Sequence, residues 1–80
     1  MNNWIITIIA QPEPMLLARI TVLLRKYGVE IRSIERTLPR PDGTEMIYLT
    51  VRNARDNMTV AMSKLERLVP IIQLEYAVKG

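Results

Sequence analysis

The chain has no cysteine, no histidine and no phenylalanine among its 80 residues. Without cysteine there is neither a disulfide framework nor a thiolate metal site to supplement a small core. Without histidine the usual general base, proton shuttle and commonest metal ligand are missing. With only three glycines, none of them clustered, there is no phosphate-cradling loop. No apolar run is long enough to span a bilayer, and the N-terminus lacks the basic start and small-residue cleavage site of a signal peptide. A cytoplasmic location, with no membrane partner, is the expectation.

What is present fits one small domain over residues 1–80. The apolar fraction is 49%. In so short a chain the burial available only roughly balances the entropy of ordering, so self-association is a reasonable source of stability. The net charge is +3. Acidic and basic residues nevertheless alternate closely, as in "RSIER" and "KLERL", which reads as a solvated surface and not as a nucleic-acid stripe.

"WIITIIA", residues 4–10, is β-branched and apolar on both faces, which predicts a central strand. Over 14–27, Leu16, Leu17, Ile20, Leu23, Leu24 and Tyr27 form one helical stripe, with Gly28 placed to stop the helix. "VEIRSIERTL", residues 29–38, alternates through Val29 and Ile31, then shifts phase to Ile34, Arg36 and Leu38. The shift predicts a bulge, and the many charges predict an edge strand. "PRPDG", 39–43, is turn chemistry, and "EMIYLTV", 45–51, is the next strand, closing a hairpin. Met58, Ala61, Met62, Leu65, Leu68 and Val69 mark a second helix ended by Pro70, with Asn53, Asp56 and Asn57 all acceptable caps. In "IQLEYAVK", 72–79, Ile72, Leu74, Tyr76 and Val78 alternate inward.

The order β-α-β-β-α-β, with right-handed crossovers, predicts an α+β ferredoxin-like sandwich: a four-stranded antiparallel sheet with two helices on one face. Strand 1 would then show apolar residues on the uncovered face too, with Met46 and Tyr48 joining it, which implies a covering partner or a docking patch.

No arrangement looks catalytic. The carboxylates Glu30, Glu35, Asp42, Glu45, Asp56, Glu66 and Glu75 lie scattered beside arginine or lysine, as exposed ion pairs do. A copper chaperone would need a cysteine pair, and an RNA-recognition motif would need stacking aromatics where strand 3 has Tyr48 alone. Trp4 reads as an anchor for strand 1. Met58 and Met62 read as core. The expectation is therefore no catalytic residue, no metal, no cofactor and no nucleic acid.

"LLARITVLLRKYGVEIRSIERT" resembles the first half of an ACT domain, where a helix carrying L-x-R-[IV] runs into an x-G-[YVF]-x-I-x-S-[LI] strand. "SKLERLVPIIQLEYA" is similar to the K-x-L-x-K-L-x-x-V-x-x-[VI] end of acetohydroxyacid (acetolactate) synthase small subunits. The resemblance implies a homodimer paired through strand 2, with Ile31, Ile34 and Arg36 at that edge. It also implies activation of a thiamine-diphosphate-dependent large subunit in branched-chain amino-acid biosynthesis. Longer members append a further domain, whereas this sequence stops at Lys79-Gly80, so activation is expected to come from the ACT surface.

The same resemblance makes the loop "QPEPML", Gln11, Pro12, Glu13, Pro14, Met15 and Leu16, the effector site. In ACT domains this loop reads N-x-x-G-[VL]-L, and its backbone N–H groups hold the effector's carboxylate at a helix N-terminus. Here Pro12 stands at the asparagine position and Met15 at the glycine position. Pro12 and Pro14 each remove a donor, Met15 crowds the approach, and Glu13 brings negative charge to an anion site. Weak or absent binding of a branched-chain amino acid is expected. Two rival readings are a stand-alone ACT sensor of another small molecule, regulating an enzyme or transcription factor, and a nucleic-acid module favoured only by the pI.

Overall fold

The computed structural model describes residues 2–37, 39–53 and 56–79. The elements are β1 (Asn2–Ala10), α1 (Leu16–Lys26), β2 (Val29–Arg36), β3 (Glu45–Asn53), α2 (Met58–Leu65) and β4 (Ile71–Val78). The four strands lie in the order β2-β3-β1-β4, each neighbouring pair antiparallel. β1 is central and β2 an edge, as the apolar run and the charges predicted.

The pleat sorts β1 cleanly. Ile6, Ile8 and Ala10 are fully buried beneath the helices, with Trp4 packed at their margin. In β3 the same side carries Ile47, Leu49 and Val51, also fully buried. The helices return Leu16, Ile20 and Leu24 from α1 and Met58, Ala61, Met62 and Leu65 from α2. Both helices therefore cover one face. The other face carries Ile5, Thr7 and Ile9 opposite Thr50, Tyr48 and Met46. Of these only Ile5, at 39%, is largely exposed, and two threonines interrupt the apolar patch. Trp4 and Ala10 do not contribute to it.

The predicted phase shift in β2 is a bulge between Ile31 and Ser33, which returns Ile34 and Arg36 to the helix side opposite Leu49 and Ile47. Leu38 lies outside the described residues. The hairpin that follows is closed by Asp42, whose Oδ1 accepts from the Thr44 amide at 2.9 Å and hydroxyl at 2.6 Å. Gly43 takes φ +86°, where a side chain would be strained. The Thr44 hydroxyl, then its amide, hold the Asp42 carboxyl below the ordinary carboxylate range. A depressed folded-state pKa stabilises above the unfolded value and is lost as pH falls through the folded one. Asp42→Asn should therefore flatten the acid limb of the stability curve below about pH 4, the ordinary aspartate range. Urea melts at pH 3 and pH 6 check this, and an unchanged difference between them would count against it.

Three expectations need correction. α2 ends at Leu65, and residues 66–70 form turns, so Pro70 does not end the helix; Leu68 still packs on the core, but Val69 is 75% exposed. The inward set of β4 is also displaced. A bulge at Ile9/Ala10 pairs Ala10 with Ile71, so Ile71 packs on the core while Ile72 is 58% exposed. Leu74 packs on the core as expected; Tyr76 and Val78 face the helix side, paired with Ile6 and Trp4, but stay 38% and 54% exposed, with Tyr76 against Trp4 at 5.8 Å between ring centroids. Finally, Glu45 is not an exposed ion-pair member: it is 4% exposed, and Arg36 reaches both its oxygens at 2.8 and 2.9 Å.

Of the three cap candidates, Asn57 is the N-cap of α2, but its side chain caps nothing. Instead it donates to the Tyr27 carbonyl at 3.0 Å and accepts from Asn53 Nδ2 at 2.8 Å. That link ties the end of α1, the end of β3 and the start of α2 together.

Candidate functional site

The loop from Gln11 to Met15 joins the buried end of β1 to α1. Its backbone donors are largely spoken for. Gln11 N–H bonds the Pro70 carbonyl at 3.2 Å, and Leu16 N–H bonds the Glu13 carbonyl at 3.1 Å. Pro12 and Pro14 have no N–H to give. The Met15 N–H, at the N-cap of α1, is taken by the Glu13 carboxylate itself, 3.2 Å to Oε1. The chain thus places its own anion on the helix N-terminus, where unpaired donors and the dipole favour negative charge.

Glu13 is braced from the other side. Its Oε2 is shielded from solvent and accepts no hydrogen bond among the described residues, and Arg19 Nη1 stands 3.9 Å away. The same guanidinium donates to the Val69 carbonyl at 2.8 Å. With the Gln11–Pro70 bond, this fastens the β1–α1 loop to the α2–β4 turn at two points. Met15 adopts φ −93°, an ordinary conformation that needs no glycine, and its side chain is 60% exposed. All six loop residues expected at the effector site therefore lie together. Leu16 belongs to the core and not to the loop's surface.

The three residues expected at the dimer edge lie on β2. Ile31 and Ile34 share a groove of about 420 Å³ with Thr21 and Arg25 of α1, and Ile34 is 38% exposed. Arg36 is engaged within the protomer by Glu45.

The sequence reading missed a second surface. A groove of about 550 Å³ follows the outer flank of α1, with Met15, Ala18, Val22 and Leu23 as its apolar lining. Arg19, Lys26, Lys64 and Arg67 share it, and among the described residues no acidic one lines it. The signal was available: Met15, Ala18, Val22 and Lys26 repeat at i, i+3, i+7 and i+11, a second stripe beside the core one.

Among the described residues no group of three or more histidine, cysteine or carboxylate side chains could hold a metal ion, and no helix is long and apolar enough to cross a membrane.

A four-stranded antiparallel sheet backed on one face by two helices, in the order β-α-β-β-α-β, is the ferredoxin-like architecture. The chain belongs to the ACT domain family, whose profile matches residues 12–74. It is thus a regulatory domain and not a catalytic one. Solved structures share the fold. The ACT domain of GTP pyrophosphokinase from Chlorobium tepidum superposes with a TM-score of 0.74 at 22% identity, covering 95% of this chain and 97% of that one. The C-terminal domain of the MgtC protein from Mycobacterium tuberculosis gives 0.82 at 12% identity, covering 99% and 88%. A homoserine dehydrogenase from Thiobacillus denitrificans gives 0.74 at 22% identity over 96% of this chain but only 17% of its own. No curated protein sequence matches.

Proposed function

We propose that this chain is the small regulatory subunit of an acetohydroxyacid synthase-like enzyme. It would activate a thiamine-diphosphate-dependent catalytic subunit in branched-chain amino-acid biosynthesis, with weak or no amino-acid feedback. The observation that carries the second half is the Glu13 carboxylate on the Met15 N–H. An incoming amino-acid carboxylate would have to displace a tethered anion, and a forfeited charged hydrogen bond costs about 1.5–3 kcal/mol. The first half is supported by membership of the ACT family, to which "LLARITVLLRKYGVEIRSIERT" is alike, and by the likeness of "SKLERLVPIIQLEYA" to such subunits.

Activation then consists of binding the catalytically competent arrangement of the partner more tightly than its alternatives. The chain acts as a homodimer through β2, whose position at the sheet edge leaves one row of backbone groups unpaired within the sheet. Purified chain added to the catalytic subunit should raise turnover, and the chain alone should sediment as a dimer at micromolar concentration. Calorimetric titration with valine, leucine or isoleucine should show no binding at micromolar concentration. Unchanged turnover would sink the synthase assignment, and micromolar affinity for any of the three would move the chain to the rival class of free-standing sensors.

A further inference from the structure

We infer that the groove along the outer flank of α1 is a docking site for an acidic amphipathic helix of a partner polypeptide. Met15 and Lys26 are eleven helical steps apart, so the groove runs about 16 Å, three turns of helix. Residues of α1 line the groove together with Lys64 of α2 and Arg67 just after it, so it runs along α1 on the side of α2's end, where a ridge of side chains from a third helix can seat. Val22, 68% exposed, and Met15, 60% exposed, supply adaptable apolar contact at the spacing of a helical partner's own apolar positions.

Charge fixes the chemistry of the occupant. Four cations line it from two elements: Arg19, which reaches the Val69 carbonyl, and Lys26 in the last turn belong to α1, while Lys64 is in the last turn of α2 and Arg67 follows that helix. Arg19 is partly answered by Glu13, but among the described residues no carboxylate pairs with Lys26, Lys64 or Arg67. A single small carboxylate would answer one or two of these four cations and none of the apolar lining. A helix with apolar residues at i, i+4 and i+7 and acidic residues on its flanks would answer both. A second copy of this chain does not qualify, because neither "LLARITVLLRK" nor "MTVAMSKL" contains an acidic residue.

The inference deepens the reading above by locating where a client polypeptide is held, and it rests on that reading only for the existence of a client. To test it, p-benzoylphenylalanine is placed at position 22 of the full chain in its own cells, and the crosslinked peptides are mapped by mass spectrometry. A control carries the same group at position 5, on the uncovered sheet face. Crosslinks from position 22 should fall on an acidic, helix-patterned segment of another protein. Their yield should drop about tenfold in a Lys26→Glu/Lys64→Glu/Arg67→Glu variant whose circular dichroism is unchanged. A synthetic peptide of the mapped segment should bind the full chain, and should do so more weakly as salt rises.

Crosslinks to lipid, to a second copy, or to a segment without acidic residues overturn the inference. So does an unchanged yield in the charge-reversed variant, or no crosslink at all. The two readings fail separately. An acidic helix from a protein other than a thiamine-diphosphate enzyme keeps the groove and removes the synthase assignment. Raised synthase turnover with crosslinks mapping elsewhere does the reverse.

Discussion

Leu49→Ala should cost about 3–5 kcal/mol, the cost of truncating a leucine in a core that relaxes only partly. Leu49 is fully buried, midway along β3, with Ile6 of β1 and Ile34 of β2 as its cross-strand neighbours. Strands flank it on both sides and helices roof it, so the cavity cannot collapse without shifting the sheet. A domain of 80 residues has a total stability of about 4–12 kcal/mol, so this one change removes a quarter of it or more and should lower the urea midpoint in proportion. Urea melts followed by Trp4 fluorescence check this. Val22→Ala, on the exposed flank of α1, is the control and should change stability by less than about 0.5 kcal/mol. If Leu49→Ala loses under 1 kcal/mol, the packing described for the sheet is wrong.

The next largest effect is expected at Arg36. Its guanidinium grips both oxygens of Glu45, a carboxylate with only 6% of its side chain in water. Arg36→Ala would strand that charge. Breaking a buried pair from one side costs about 3–5 kcal/mol. Here 45% of the Arg36 side chain is solvated, so the loss falls below that scale, at about 2–3 kcal/mol, the upper part of the range for a charged hydrogen bond. Exchanging both partners, Arg36→Met with Glu45→Leu, should recover most of the loss, because no unpaired charge remains. A double variant as unstable as Arg36→Ala alone would show that the pair acts through something other than burial. The same pair separates two roles that the sequence reading gave to one strand: Arg36 braces β3, and Ile34 remains the exposed apolar residue of the β2 edge.

Most of the frame was legible because it rests on periodicity. The α1 stripe, the Gly28 stop at φ 73° and the β2 bulge each follow from local spacing. The bulge was readable because charged residues mark the solvent side of a phase shift. Its counterpart at Ile9/Ala10 was not, since Ile9, Ala10, Ile71 and Ile72 are all apolar and no change of polarity marks which of them slips. Proline misled at the end of α2. The helix stops five residues before Pro70, and Leu65, Leu68 and Ile71 continue into the core through turns that mimic a helical repeat. Their burial also explains much of the "KLERLVPIIQL" pattern by packing alone.

The candidate site was legible as a loop but not as chemistry. That Pro12 and Pro14 remove donors follows from their covalent structure. That Glu13 folds back onto Met15 depends on Arg19 and on the Val69 and Pro70 carbonyls, some fifty residues further on. Asn57 shows the same limit. Its type fitted a cap, yet a carbonyl from another helix claimed its side chain. The groove escaped for a different reason. A helix with two stripes reads first by its stronger one, and cations beside Val22 look like ordinary solvated surface.

The Glu13–Met15 contact bears on control in the cell. On the proposed reading, a receptor that fills its own seat has no vacancy through which metabolite levels could speak. The dial left is dosage: how many copies are synthesised for each catalytic chain.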